Sequence, residues 1–465
     1  MAGIGFKINE VLRAGSASDR AVASGAAVFI SAGPALSVIL TLFMIAPILK
    51  TLDFQTNESL LFAIITYCFM ASMILFAPVE LLSVRYLADI IYVKNERILG
   101  SFFVLLTAAS CFFCSILIAT FFWLCDLNWQ AICLITVLMN AIIIARISII
   151  FLSASKSFLR ISVGFVYGML VSVIVIPVIC SFWKDPLLGP LTGFTIGQSV
   201  TALYLARIVI DYFQDEWFWP PKLLSQIKRF RLYALIGLSG SLTLWVDKII
   251  YWFTEGIQIK GYLYSNPVYD TAIMLGYLQT IPLLSFFLVK VETNVFLPLR
   301  RYLALLEHQG TYFLIDNERK DLDASVKNCL VSMSGVLCIS MIYGIAIFPT
   351  IINVNSDDGS RLTIETLILP SLAVGLNVYA LLIQTILLYF NQSKVVAILA
   401  CSHFLLNASL TIGLSWFGYP MGIGYLVSSG LISIISTLLV LYVSKHLTFF
   451  VMSEYIKTDP NIAGM

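Results

Sequence analysis

Charge is what this sequence has least of. Of its 465 residues only 12% are Asp, Glu, Lys or Arg and 59% are hydrophobic, whereas roughly a quarter of a soluble domain is charged. With a mean hydropathy of +0.93, that shortage excludes a soluble globular enzyme. A net charge of +2 is too small to point to nucleic acid, and no nucleic-acid partner is expected. His308, His403 and His446 are dispersed, and most of the nine cysteines lie inside apolar runs, Cys111 and Cys114 one helical turn apart in one of them. No spacing fits a metal site, so neither a metal nor another cofactor is expected. Also missing are a nucleophile elbow, a phosphate-binding loop and a cytoplasmic glycosyltransferase domain. No catalytic residues are assigned, and the chain reads as a non-enzyme.

What is present is a series of long apolar runs. A helix needs about 20 apolar residues to cross a bilayer, and twelve such runs occur: roughly 21–48, 59–82, 99–124, 129–152, 161–183, 189–212, 232–252, 271–290, 327–351, 364–390, 395–417 and 420–445. The fold class is therefore an all-α polytopic membrane protein. The first run is longer than the 7–15 residues of a signal-peptide core, so it is expected to remain as a span.

Lys and Arg are distributed by side. Connections after spans 1, 3, 5, 7, 9 and 11 hold 4 in total; the termini and the remaining connections, with the adjoining helix ends, hold 23, and Lys248 lies within span 7. The positive-inside rule then places both termini in the cytoplasm. Outer connections are short, which argues against a large catalytic loop on that face. Residues 213–231, with Trp217, Phe218, Trp219, Pro220 and Pro221, suit a cytoplasmic interfacial linker. It divides the chain into six-helix halves, 1–212 and 232–465. The second long cytoplasmic connection, 291–326, carries Arg300, Arg301, Arg319 and Lys320 and is either a solvated charged loop or a docking surface for a cytoplasmic partner.

An ionised group near the bilayer centre costs about 2.5–3.5 kcal/mol on insertion scales, so the few that occur there invite a functional reading. Span 7 carries Ser239, Thr243, Asp247 and Tyr251 at four-residue spacing, on one face of a helix. Given the orientation, Asp247 lies toward the outer side and Glu292, at the end of span 8, at the cytoplasmic side. With Glu80 and Tyr277 these residues are candidates to line or gate a path. For Asp247 the competing reading is a structural ion pair or interfacial anchor, with Lys248 reaching for the surface; Glu80 and Glu292 stand equally open. Trp245, Tyr251, Trp252, Tyr262, Tyr264 and Tyr269 read chiefly as an interfacial aromatic belt, with sugar stacking as the alternative. Pro34, Pro78 and Pro282 each lie within a span, where proline frees the carbonyl four residues earlier and permits a bend.

Particular segments add a resemblance. The opening from Met1 to Phe6, the Ser31-Ala32-Gly33-Pro34 turn, Arg85-Tyr86-Leu87-Ala88-Asp89, the block from Trp245 to Trp252, and Tyr269-Asp270-Thr271-Ala272 leading to Val291-Glu292-Thr293 together resemble the PelG family. These are inner-membrane transporters of the Pel exopolysaccharide system within the multidrug/oligosaccharidyl-lipid/polysaccharide exporter superfamily. The resemblance implies two six-helix bundles about a central cavity. It implies a polysaccharide cargo rich in N-acetylgalactosamine and galactosamine, exported across a bacterial inner membrane in biofilm formation. It also implies three partners besides membrane lipids: a cytoplasmic glycosyltransferase, a membrane scaffold protein and a cyclic-di-GMP receptor. Deacetylation after export would leave the crossing polymer mostly neutral, so the membrane acids need not hold a cationic chain. The same superfamily leaves open a lipid-linked oligosaccharide flippase or a cation-coupled exporter, and a non-transporting anchor for the synthase is a further alternative.

Overall fold

The structure, a computed structural model, describes residues 57–93, 96–155, 157–213, 230–308, 310–355 and 364–458, together with 28, 33, 36–45 and 47–49 near the amino terminus. The aromatic and proline residues expected in the 213–231 linker lie outside the described residues, as does Pro34.

Among the described residues, eleven helical segments are long and apolar enough to cross a membrane, one of them the composite Pro267–Glu307, and a shorter apolar helix covers Leu36–Leu49. They fall on the second to twelfth expected runs. In chain order the helices are α1 (Glu58–Tyr92), α2 (Leu99–Leu124), α3 (Trp129–Ala154), α4 (Phe158–Phe182), α5 (Leu188–Tyr212) and α6 (Arg231–Thr254). A hairpin of β1 (Ile257–Lys260) and β2 (Leu263–Ser265) follows. Next come α7 (Pro267–Gln279), α8 (Ile281–Val291), a π-helical turn (Glu292–Phe296) and α9 (Leu297–Glu307). The last helices are α10 (Tyr312–Asn355), α11 (Ile364–Tyr389), α12 (Ser393–Trp416), α13 (Ile423–Lys445) and α14 (Leu447–Thr458). The chain packs as two compact units, Ala32–Asp270 and, from the described carboxy-terminal residues, Thr271–Met465. Within the first of these units α6 lies along α1.

In the first unit α3 is the central helix, packed by α1, α2 and α5, and its Ile135, Leu138, Met139 and Phe151 are fully buried. Small residues set how close the helices come, as expected where lipid removes any hydrophobic drive for helix association. A Cβ on Gly168 of α4 would lie 1.8 Å from Thr201 Oγ1 of α5, and one on Gly237 of α6 would lie 2.3 Å from the Ala77 carbonyl oxygen of α1. The outward faces are apolar too: Phe112, Phe113, Ile116 and Leu117 of α2 are exposed, as suits side chains solvated by acyl chains.

The hairpin occupies the connection after α6. Its strands pair antiparallel with a register shift between Gln258 and Lys260. Gly261 takes φ +54° at the turn, a left-handed conformation that favours glycine.

In the second unit α13 packs against α11 and α12, and α10 against α8, α9 and α11. Polar contacts thread this packing: Asn377 Nδ2 donates to the Tyr425 hydroxyl at 2.6 Å, and His403 and Ser429 share a 3.3 Å hydrogen bond.

Candidate functional site

Ser239, Thr243, Asp247 and Tyr251 of α6 are all buried, none more than 5% exposed, so the polar stripe faces protein. Thr243 Oγ1 donates to the Ser239 carbonyl at 2.8 Å, satisfying the hydroxyl within the helix. Asp247 is 1% exposed; its Oδ2 accepts a hydrogen bond from the Tyr269 hydroxyl of α7, and its Oδ1 has no hydrogen-bond partner. An unpaired carboxylate oxygen inside an apolar medium is costly, and here it is retained beside a residue on the next helix. Asp270, adjacent to Tyr269, accepts from Trp252 Nε1 with both oxygens, at 3.1 and 3.0 Å.

Lys248 does not reach for the surface. It is 8% exposed, and its Nζ sits 4.4 Å from the centre of the Trp245 ring, where the ring quadrupole attracts a cation. Asp247 therefore takes its hydrogen bond from Tyr269 rather than from its sequence neighbour.

Most of the expected aromatic belt is likewise interior. Trp245, Tyr251, Trp252 and Tyr269 are buried, while Tyr262 is exposed. Tyr251 and Tyr269 lie 4.7 Å apart; Tyr67 of α1 stacks on Trp252 at 4.8 Å and on Phe121 of α2 at 5.6 Å. The Tyr67 hydroxyl donates to the Tyr264 carbonyl at 3.1 Å and accepts from the Tyr264 N–H at 3.2 Å. Of these rings, Tyr269 and Trp252 direct their polar atoms to carboxylates and Tyr67 to the hairpin backbone, while Trp245 Nε1 is buried without a hydrogen-bond partner.

The other candidates fall elsewhere. Glu80 pairs with Arg146 of α3. Glu292 opens the π-helical turn after α8; its side chain lies outside those described. Tyr277 is half-buried on α7. Pro78 lies inside the continuous 35-residue α1, next to the Ala77 carbonyl that Gly237 approaches. Pro282 stands beside a break in its span: the helix stops at Gln279 and restarts at Ile281, so Pro282 lies in a first turn, where its missing N–H leaves no helix bond unmade. Arg300 is exposed, Arg301 lies 3.8 Å from Glu318, and Arg319 and Lys320 both pair with Asp316, at 2.8 and 2.7 Å.

The sequence reading missed Tyr67 and Arg146 as partners, passed over Gln279 and Asn377, and took His403 only as a dispersed histidine. All three are buried; Gln279 Nε2 donates to the Ser371 carbonyl. Amides and an imidazole inside apolar runs were the available signal. Among the described residues no cluster of His, Cys, Asp or Glu could hold a metal ion.

This architecture is that of MATE transporters of the MOP superfamily. The chain is similar to an outward-facing multidrug resistance MATE family transporter of that superfamily (TM-score 0.61, 11% identity, 94% of this chain and 97% of that one). It is similar to a MATE transporter in the straight conformation (0.63, 12%, 91% and 95%). It is also similar to a MOP superfamily transporter from Pyrococcus furiosus whose binding pocket is described as of reverse polarity (0.60, 11%, 92% and 95%). At these identities the likeness shows the fold alone. Among curated proteins none matches the chain. The PelG family, described as "Putative exopolysaccharide Exporter (EPS-E)", matches residues 1–451. The chain belongs to the PelG family and is a multi-pass membrane exporter.

Proposed function

We propose that this chain carries a growing exopolysaccharide, a Pel-like polymer rich in N-acetylgalactosamine and galactosamine, outward across a bacterial inner membrane. The observation that carries this reading is the match of the PelG family to residues 1–451 on a transporter fold. A cytoplasmic glycosyltransferase would supply the chain end, with a membrane scaffold and a cyclic-di-GMP receptor completing the complex. The polar stripe of α6 supports a path role. A mostly neutral sugar polymer exchanges water for hydroxyl and carboxylate hydrogen bonds, and Ser239, Thr243 and Asp247 supply such groups at one-turn intervals. The bond from Tyr269 to Asp247 would then hold α6 against α7 until substrate hydroxyls compete for the carboxylate.

The test is reconstitution of the protein with its synthase in vesicles, with a labelled sugar nucleotide outside, at the face the synthase uses. Labelled polymer inside the vesicles only when this protein is present supports the reading. Polymer made but retained outside would leave it an anchor for the synthase. Export abolished by collapsing the proton and sodium gradients would favour a cation-coupled exporter of the same fold. Polymer export that persists in Asp247→Ala with Glu292→Ala, at normal protein levels, would remove those two residues from the path.

A further inference from the structure

A pocket of about 330 Å³ opens at the end of α13 that the Lys and Arg distribution assigns to the cytoplasmic side. It is lined by Tyr312, Asp316, Arg319, Lys445, His446 and Phe449, among others. Three elements build it: the start of α10, the last turn of α13 and the first turn of α14.

Among the lining residues the cations Arg319 and Lys445 outnumber the one acid, Asp316. Asp316 holds Arg319 at 2.8 Å and Lys320 at 2.7 Å. Asp323, one helical stretch further, holds Lys327 at 2.6 Å and the Ser444 hydroxyl at 2.6 Å. Arg319 is fixed by its bonds to Asp316 and by Nη1 donating to the Lys445 carbonyl at 2.5 Å. Those use three of the five N–H groups that a guanidinium carries. Lys445 makes no ion pair among the described residues, and its side chain is exposed.

The approach to the pocket is apolar. Ile434, Leu438 and Tyr442 are 60%, 61% and 57% exposed and follow one another at four-residue intervals, one row on the outward face of α13. His446 is the next member of that row, its ring 4.9 Å from that of Tyr442. Tyr312 and Phe449 are exposed at the mouth, and Tyr312 is the amphipathic type of ring that settles at headgroup level.

We propose that this pocket seats the phosphate of an anionic phospholipid, with Lys445, His446 and the remaining N–H groups of Arg319 as its donors and the acyl chains lying along Ile434, Leu438 and Tyr442. A soluble phosphate would meet the same donors but would make no use of the apolar row, which ends at the cationic group as a lipid does at its headgroup. The site is independent of what the protein exports.

The experiment uses the full chain, purified in detergent and re-equilibrated with mixtures of phosphatidylglycerol and phosphatidylcholine, with retained lipid quantified by mass spectrometry. Phosphatidylglycerol should be retained in excess. Lys445→Gln should lower the excess about fivefold, the effect of one surface cation on an anionic lipid, and adding His446→Gln should lower it further. Lys394→Gln, an exposed cation outside the pocket, should leave it unchanged, and thermal melts verify that each variant is folded. Equal retention of both lipids, or a double variant that keeps the excess, overturns the proposal. Displacement by glycerol 3-phosphate with no lipid retained overturns it in favour of a soluble phosphate ligand.

Discussion

The Tyr269 hydroxyl donates to Asp247 Oδ2 across 22 residues of sequence, joining α7 to α6 where both side chains are buried. Oδ1 of the same carboxylate has no hydrogen-bond partner, so this bond is a main satisfier of the buried acid. Tyr269→Phe should therefore lower stability by roughly 1–3 kcal/mol, the cost of stranding a buried polar group. Asp247→Leu in the same background should recover part of that loss. Thermal melts of the two single variants and the double variant in detergent give the coupling directly; additive effects would mean that the two side chains do not act together.

Gly237 and Gly240 offer an internal control on α6. A Cβ at Gly237 would fall 2.3 Å from the Ala77 carbonyl oxygen, whereas one at Gly240 meets nothing within 4 Å. Gly237→Ala should destabilise the chain by about 1–3 kcal/mol, since overpacking against backbone has no flexible side chain to absorb it. Gly240→Ala should be neutral or slightly stabilising through helix propensity. Expression level and melting temperature of the pair decide the matter.

Tyr67 ties the hairpin to α1 with both a donated and an accepted hydrogen bond to Tyr264. Tyr67→Phe keeps the ring on Trp252 and removes only those bonds. Amide hydrogen exchange across Ile257–Ser265 should accelerate while exchange in α1 stays as it was. Unchanged exchange in the hairpin would show that Gln258 Nε2, which donates to the Gly261 carbonyl at 2.7 Å, and the strand pairing hold it unaided.

Glu80 and Arg146 separate structural from transport roles. If their ion pair serves packing, Glu80→Gln should lower protein abundance by leaving Arg146 without its partner, and Glu80→Gln with Arg146→Gln should restore it together with export. Normal abundance of the double variant with export still lost would instead place Glu80 on the substrate path.

The spans could be read from the sequence because a bilayer imposes length and apolarity on each helix separately, so α1 to α6 and α10 to α13 lie on their expected runs. Contacts between helices leave no such mark. Nothing in the apolar run of α3 singles out Arg146 as the partner of Glu80. Lys248 looked free to reach the surface because its distance from Trp245, three positions back, becomes informative only once the helix is seen to bury that face. Pro282 was read as an interruption of one helix, although proline serves equally well at the start of another, and the turn at Thr280 has no sequence signature of its own. For the candidate site, four-residue spacing puts Ser239, Thr243, Asp247 and Tyr251 on one helix face, and all four are buried. Their ligand on α7, Tyr269, was assigned to a belt because aromatic residues near a span end satisfy both descriptions.

At 44 residues, α10 is about 66 Å long, more than twice the roughly 30 Å of a bilayer's hydrocarbon core. Its charged opening stretch, Tyr312–Val326, alone covers about 22 Å. A rigid rod of that kind converts angle into displacement: a change of about 20°, the mean tilt of membrane helices, would swing the far tip by roughly 7 Å. Whatever rests against Tyr312 and Phe313 would sense the tilt of a helix within the bilayer as a mechanical stroke at the membrane surface, with no conformational change in the helix itself.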